Sequence, residues 1–156
     1  SDLNGKSTNS KIVFFGINKN KEGWNKIVKG LEYVPEGAVP IWKYYSKLAD
    51  INPNLVLVPS DQSEYTERSS DYKRYIDCGL LSMPIITPKS SPYDVLIKHG
   101  ENGYLYESDQ QFLDTLESII ASPKDAEQVG GAAKIYVEDN FSYNRDKLQR
   151  LINLLG

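Results

Sequence analysis

Three short, unbroken apolar runs constrain this chain most: Ile12-Val13-Phe14-Phe15, Leu55-Val56-Leu57-Val58 and Ile85-Ile86-Thr87. A strand with one wet face alternates apolar and polar residues, so short unbroken runs closed by turn residues predict strands covered on both faces. Between them lie segments of helical spacing. Trp24, Ile27, Val28 and Leu31 recur at i, i+3, i+4 and i+7, predicting a helix that ends near Pro35. Ala38 to Ile41 reads as a very short strand, and Tyr44, Tyr45 and Leu48 as a helix closing before Asn52-Pro53-Asn54. Tyr72, Tyr75, Ile76, Gly79, Leu80 and Met83 keep helical spacing up to Pro84, and a further helix is expected from Pro92 to about His99.

The remainder alternates in the same way. Gly100-Glu101-Asn102-Gly103 is a turn by composition, Tyr104-Leu105-Tyr106 a small edge strand, and Phe112, Leu113, Leu116, Ile119 and Ile120 an amphipathic stripe. Pro123 suits the first position of a helix carrying Val129, Ala132, Ala133, Tyr136 and Val137, although Gly130 and Gly131 each cost about 1 kcal/mol against Ala. Ser142 is expected to cap a last helix with Leu148, Leu151, Ile152 and Leu155. Parallel neighbours need crossover connections that bury both sheet faces, so the expected class is α/β: a Rossmann-like parallel sheet sandwiched by helices. At 156 residues and 40% hydrophobic the chain has material for one domain, placed at 11–156 behind a flexible segment at 1–10 whose small polar residues cannot offset their ordering entropy.

Charge and composition remove several functions. A net charge of -3 argues against general nucleic-acid binding. One cysteine, Cys78, excludes an intrachain disulfide, and one histidine, His99, excludes a zinc site of His and Cys ligands. No D-x-D pair is present, which disfavours a metal-held diphosphate, and no metal is expected. The absence of a long apolar span or a secretion pattern suggests a cytoplasmic protein. His99 is expected to complement a helix end, and Cys78 to be a small, inert core residue. The tyrosines sit at stripe and strand positions and read as core and rim. Asn140-Phe141-Ser142 matches the glycosylation pattern by accident.

In parallel sheets ligands bind beyond the carboxyl ends of the strands, which selects the segments 16–23, 60–70 and 88–92. The first leaves a strand and enters a helix whose first amides are unpaired, so Gly16, Asn18, Lys19 and Lys21 form a candidate phosphate cradle. It matches neither G-x-G-x-x-G nor the P-loop, and solvated loop lysines remain the alternative. Asp77 stands one turn beyond Lys73 and Arg74, where a surface ion pair is the simple explanation. A carboxylate near a strand end also accepts two hydrogen bonds from a ribose diol.

The stretch Lys73 to Leu105, KRYIDCGLLSMPIITPKSSPYDVLIKHGENGYL, resembles the donor-binding C-terminal domain of GT-B glycosyltransferases, the retaining group 1 type that builds bacterial surface polysaccharides. Arg74, Asp77, Pro84, Ile85-Ile86 and the Gly100 to Gly103 turn follow that family's order, and FFGINKNKEGW is similar to its first strand and loop. The resemblance implies that Asp77, seven before Pro84, holds the donor ribose. It also implies that Lys21 contacts the diphosphate and that Ser90 and Ser91 face the transferred sugar. The implied enzyme is a metal-independent hexosyltransferase with no cofactor. It passes a sugar from a nucleoside diphosphate to a glycan or lipid-linked acceptor, at the inner face of the membrane, with a preceding GT-B domain as partner. The isolated domain would be inactive. Ser69 and Ile17 stand where the family often carries Glu and Arg. They motivate an alternative, a catalytically degenerate nucleotide-sugar-binding or scaffolding module.

Overall fold

The computed structural model describes residues 13–17, 34–37, 39–58, 72–142 and 153. The chain divides into two compact units, 1–50 and 51–156. The expected segment 1–10 and the helix on Trp24 to Leu31 lie outside the described residues, and of the last helix on Leu148 to Leu155 Asn153 alone is described, as helical.

In the first unit, β1 (Val13–Ile17) pairs in parallel with β2 (Val34–Gly37), Val13 opposite Val34 and Phe14 opposite Pro35. This corrects the expected chain path in two places. Pro35 does not mark a helix end; it lies inside a strand, which a two-stranded ladder tolerates because the missing N–H can face away from the partner. The short strand expected at Ala38 to Ile41 is absent, since Ile41–Lys43 forms a 3-10 turn closed by the Lys43 N–H donating to the Pro40 carbonyl at 2.8 Å. Helix α1 (Tyr44–Ile51) follows as expected, with Leu48 buried.

The second unit is a three-stranded parallel sheet in the order β3 (Val56–Leu57), β4 (Ile85–Pro88), β5 (Tyr104–Tyr106). All four residues of β4, the central strand, are buried, whereas Leu57 on β3 is half exposed, so the double coverage expected of these runs holds for β4 and not for β3. Helices α2 (Lys73–Leu80), α3 (Tyr93–Leu96), α4 (Asp109–Ala121) and α5 (Pro123–Phe141) surround the sheet. Ile86, Tyr104, Ile119, Ala126 and Val129 form one core cluster against α4 and α5, with Leu55, Tyr106 and Phe112 packed on it. This is the α/β Rossmann-like architecture that alternating apolar runs and helical stripes imply.

Helix boundaries are set by local chemistry. Ser108 caps α4, its Oγ accepting from the Gln111 N–H at 3.2 Å. Helix α2 closes in a Schellman turn: Met83 N–H donates to the Cys78 carbonyl and Ser82 N–H to the Gly79 carbonyl, both at 2.9 Å, with Ser82 left-handed at φ 58°. It therefore ends before Ser82. Helix α3 is one turn, because Ile97 turns extended, and does not reach His99 as expected. Ser142 stands at the carboxyl end of α5, its hydroxyl donating to the Glu138 carbonyl.

Gly130 has a packing reason that composition hides. A Cβ there would lie 2.1 Å from the Ser82 carbonyl oxygen and 2.9 Å from Pro84 Cδ, so α5 approaches the entry to β4 only because the side chain is missing. Gly131 faces open space. Gly79 plays a similar part on α2, where a Cβ would meet Val137 Cγ2 at 2.7 Å.

Candidate functional site

Helix α2 carries the chain back from the carboxyl end of β3 to the amino end of β4. Arg74 stands in its first turn and Asp77, fifth of its eight residues, near its middle, while Ser90 and Ser91 follow the carboxyl end of β4. Arg74 is exposed and Ser91 is exposed, while Ser90 is half-buried and accepts from the Asp94 N–H at 3.1 Å. Asp77 is 5% exposed, so it is not a solvated surface carboxylate. Burying a carboxylate is costly without partners, so its place in the helix is set by more than solvation. Next to it, Cys78 is also buried, and desolvation, then the Asp77 carboxylate, push its thiol up to about 12 against the opposing pull of Arg74. The expectation of an inert core cysteine fits that environment.

Gly16 belongs to the other unit and lies inside β1, where the register slips between Phe15 and Ile17. The loop expected from Gly16 thus begins no earlier than the residue after Ile17, since an irregularity at glycine lets the strand continue. Asn18, Lys19 and Lys21 lie outside the described residues.

The turn at Gly100 to Gly103 is a closed structural device. Gly100 takes φ 77°, a left-handed conformation that suits glycine. Asn102 is buried; its Oδ1 accepts from the Lys98 N–H at 2.8 Å and its Nδ2 donates to the Leu96 carbonyl at 3.2 Å. The Tyr75 hydroxyl donates to the Asn102 carbonyl at 3.3 Å, so this turn is tied to the helix that bears Arg74 and Asp77. Desolvation raises the Tyr75 phenol pKa, keeping it a neutral donor.

His99 does not cap a helix. Its Nδ1 accepts from the Leu105 N–H at 3.1 Å and lies 2.9 Å from the Leu105 carbonyl oxygen, to which it donates in the other tautomer. These groups belong to β5, the outer strand of the three, so the imidazole covers part of its free edge.

Two further groups escaped sequence reasoning. Lys89, directly after β4, forms an ion pair with Glu107 after β5, and its pKa is raised by that carboxylate. Its N–H also donates to the Tyr106 carbonyl at 2.8 Å, so the two strand ends are laced together. A lysine immediately after a buried strand was the available signal. Thr87 is fully buried and its hydroxyl has no hydrogen-bond partner among the described residues, which no sequence pattern announces.

The fold is a Rossmann-like α/β unit with a buried acidic residue on the helix that leads into its central strand. No family model and no curated protein sequence matches the chain. Solved structures do resemble it. HepE from Anabaena, in complex with UDP and glucose, matches with TM-score 0.57 and 17% identity over 79% of this chain and 31% of that one. The same protein in complex with UDP-glucose matches with TM-score 0.56 and 14% identity, covering 85% and 35%. The C-terminal domain of the glycosyl transferase group 1 family protein LpcC from Francisella tularensis matches with TM-score 0.55 and 18% identity, covering 78% and 62%. The chain thus spans about a third of HepE, and the likeness shows a shared fold. Among the described residues no helix is long and apolar enough to cross a membrane.

Proposed function

We propose that this chain binds the nucleoside-diphosphate sugar donor of a GT-B glycosyltransferase of the retaining group 1 type. The observation that carries the reading is Asp77. It is a buried carboxylate on the helix leading into the central strand, seven residues before Pro84. The support from outside the chain is that a protein of this fold was solved with UDP-glucose and another is a group 1 transferase domain.

In this reading Asp77 accepts from the ribose hydroxyls, and Ser90 and Ser91 face the sugar. Lys21, with Lys19 and Arg74, stabilises charge on the departing diphosphate, so the protein itself supplies the electrostatic term without a metal. A second domain orients the acceptor, a growing glycan or lipid-linked saccharide, and bacterial surface-polysaccharide synthesis in the cytoplasm is the setting that suits this chemistry. Calorimetric titration with a panel of nucleoside diphosphates tests the reading. Saturable binding of at least one, lost in Asp77→Ala, is expected; no binding to any member of the panel would overturn it.

A further inference from the structure

A cavity of about 320 Å³ lies between β5 and the middle of α4, lined by His99, Tyr104, Gln111, Asp114, Thr115 and Ser118. It sits beside Tyr104, the first residue of β5, and so toward the amino ends of the strands, whereas Ser90 and Ser91 follow the carboxyl end of β4. The donor reading does not use it.

Its groups have a specific chemistry. Thr115 donates to the Gln111 carbonyl at 2.7 Å and forms a closed wall. The Gln111 side-chain carbonyl accepts from the Glu107 N–H at 2.8 Å, which leaves its amide nitrogen as a double donor. Asp114 Oδ1 accepts from Gln110 Nε2 at 2.8 Å, which leaves Oδ2 as an acceptor. Ser118 adds a hydroxyl, and His99, whose Nδ1 is engaged at Leu105, adds Nε2. Tyr104, 8% exposed and part of the core cluster, also lines the cavity.

Among the described residues no Lys or Arg lines the cavity, so an anionic ligand finds no countercharge there. The donors of Gln111, Ser118 and His99 beside the single carboxylate disfavour an ammonium ligand, which can only donate. Adjacent hydroxyls on a carbon ring satisfy the set, because each both donates and accepts. The volume equals roughly ten waters at ~30 Å³ each, room for one hexose. We propose that this cavity binds a neutral saccharide unit, with Asp114 accepting from a vicinal pair of hydroxyls.

The test is an amide-resolved NMR titration of the full chain with methyl glucoside, methyl galactoside and N-acetylglucosamine, each to about 50 mM. Dissociation constants on the order of 1–10 mM are expected, the range of a single small polar ligand. At least one sugar should give saturable shifts at Tyr104, Gln111, Asp114 and Ser118. Asp114→Ala, a change at an exposed position, should weaken that sugar about tenfold or more, and Asp77→Ala should leave it unaltered. No saturable shift with any sugar, shifts confined to residues 74–91, or affinity unchanged in Asp114→Ala would overturn the proposal. These outcomes are independent of nucleoside-diphosphate binding, so either reading can fail alone.

Discussion

The Tyr75 hydroxyl reaches the backbone carbonyl of Asn102, twenty-seven residues further on, at 3.3 Å. Both residues are buried, and the bond joins the candidate ribose-binding helix to a turn that Asn102 itself closes. Tyr75→Phe removes one neutral hydrogen bond and should cost about 1 kcal/mol. Asn102→Ala strands the Lys98 N–H and the Leu96 carbonyl and should cost about 2–3 kcal/mol or more. Urea unfolding of the two variants gives the order; Tyr75→Phe as damaging as Asn102→Ala would contradict this account.

Asp77→Ala is expected to lose about 1.5–3 kcal/mol of nucleotide affinity, the scale of hydrogen bonds to a charged group. Asp77→Asn, similar in shape, separates the charge from the packing. A calorimetric affinity unchanged in both folded variants would remove Asp77 from the site.

If the proposed donor reading holds, Lys21→Ala should weaken a nucleoside diphosphate more than the parent nucleoside, since an ammonium there would act on the phosphates. Parallel titrations of the two ligands measure the difference. Equal losses would point to a general structural effect.

The two adjacent glycines of α5 should respond in opposite directions. Gly130→Ala drives a methyl into the Ser82 carbonyl and should destabilise by about 1–3 kcal/mol or more, whereas Gly131→Ala should stabilise by up to about 1 kcal/mol. Thermal midpoints of the pair decide; two shifts of the same sign would rule out the close-approach explanation.

Stability should fall in alkali through Cys78. Burial pushes its thiol up to about 12, so the folded chain holds this proton more tightly than the unfolded chain does. The contribution is intact below the ordinary thiol range and is lost as pH rises from about 9 toward 12. Tyr75, raised chiefly by burial, adds a loss of the same sign at higher pH. Urea midpoints between about pH 8 and 10.5 should decline less steeply in Cys78→Ala than in the parent. Identical slopes would assign the decline to other groups.

Much of the second unit was legible because burial leaves a period. Ile85-Ile86-Thr87 declared β4, and the stripes through Ile119 and Val137 declared α4 and α5, with Pro123 opening α5 as expected but the start of α4 and the end of α5 lying beyond the stripes. Pro35 misled, since a proline reads as a stop whether it ends a helix or sits in a strand whose open side needs no donor. The position of Asp77 was readable by its count from Pro84, but its burial was not, because flanking Lys73 and Arg74 made it look solvated. The Tyr75 to Asn102 bond, the Gly130 approach and the cavity beside α4 all depend on residues distant in the chain. No local pattern encodes them.

The His99 imidazole stands beside β5 where a further strand would have to pair. A fourth strand would grow by presenting an amide and a carbonyl to Leu105, and His99 already stands at both with one nitrogen. Backbone growth is thereby ended by a side chain, which needs only a rotation about its own bonds to withdraw. Part of this border is therefore held by a rotamer, and a substitution at position 99 would open the Leu105 amide and carbonyl to another strand.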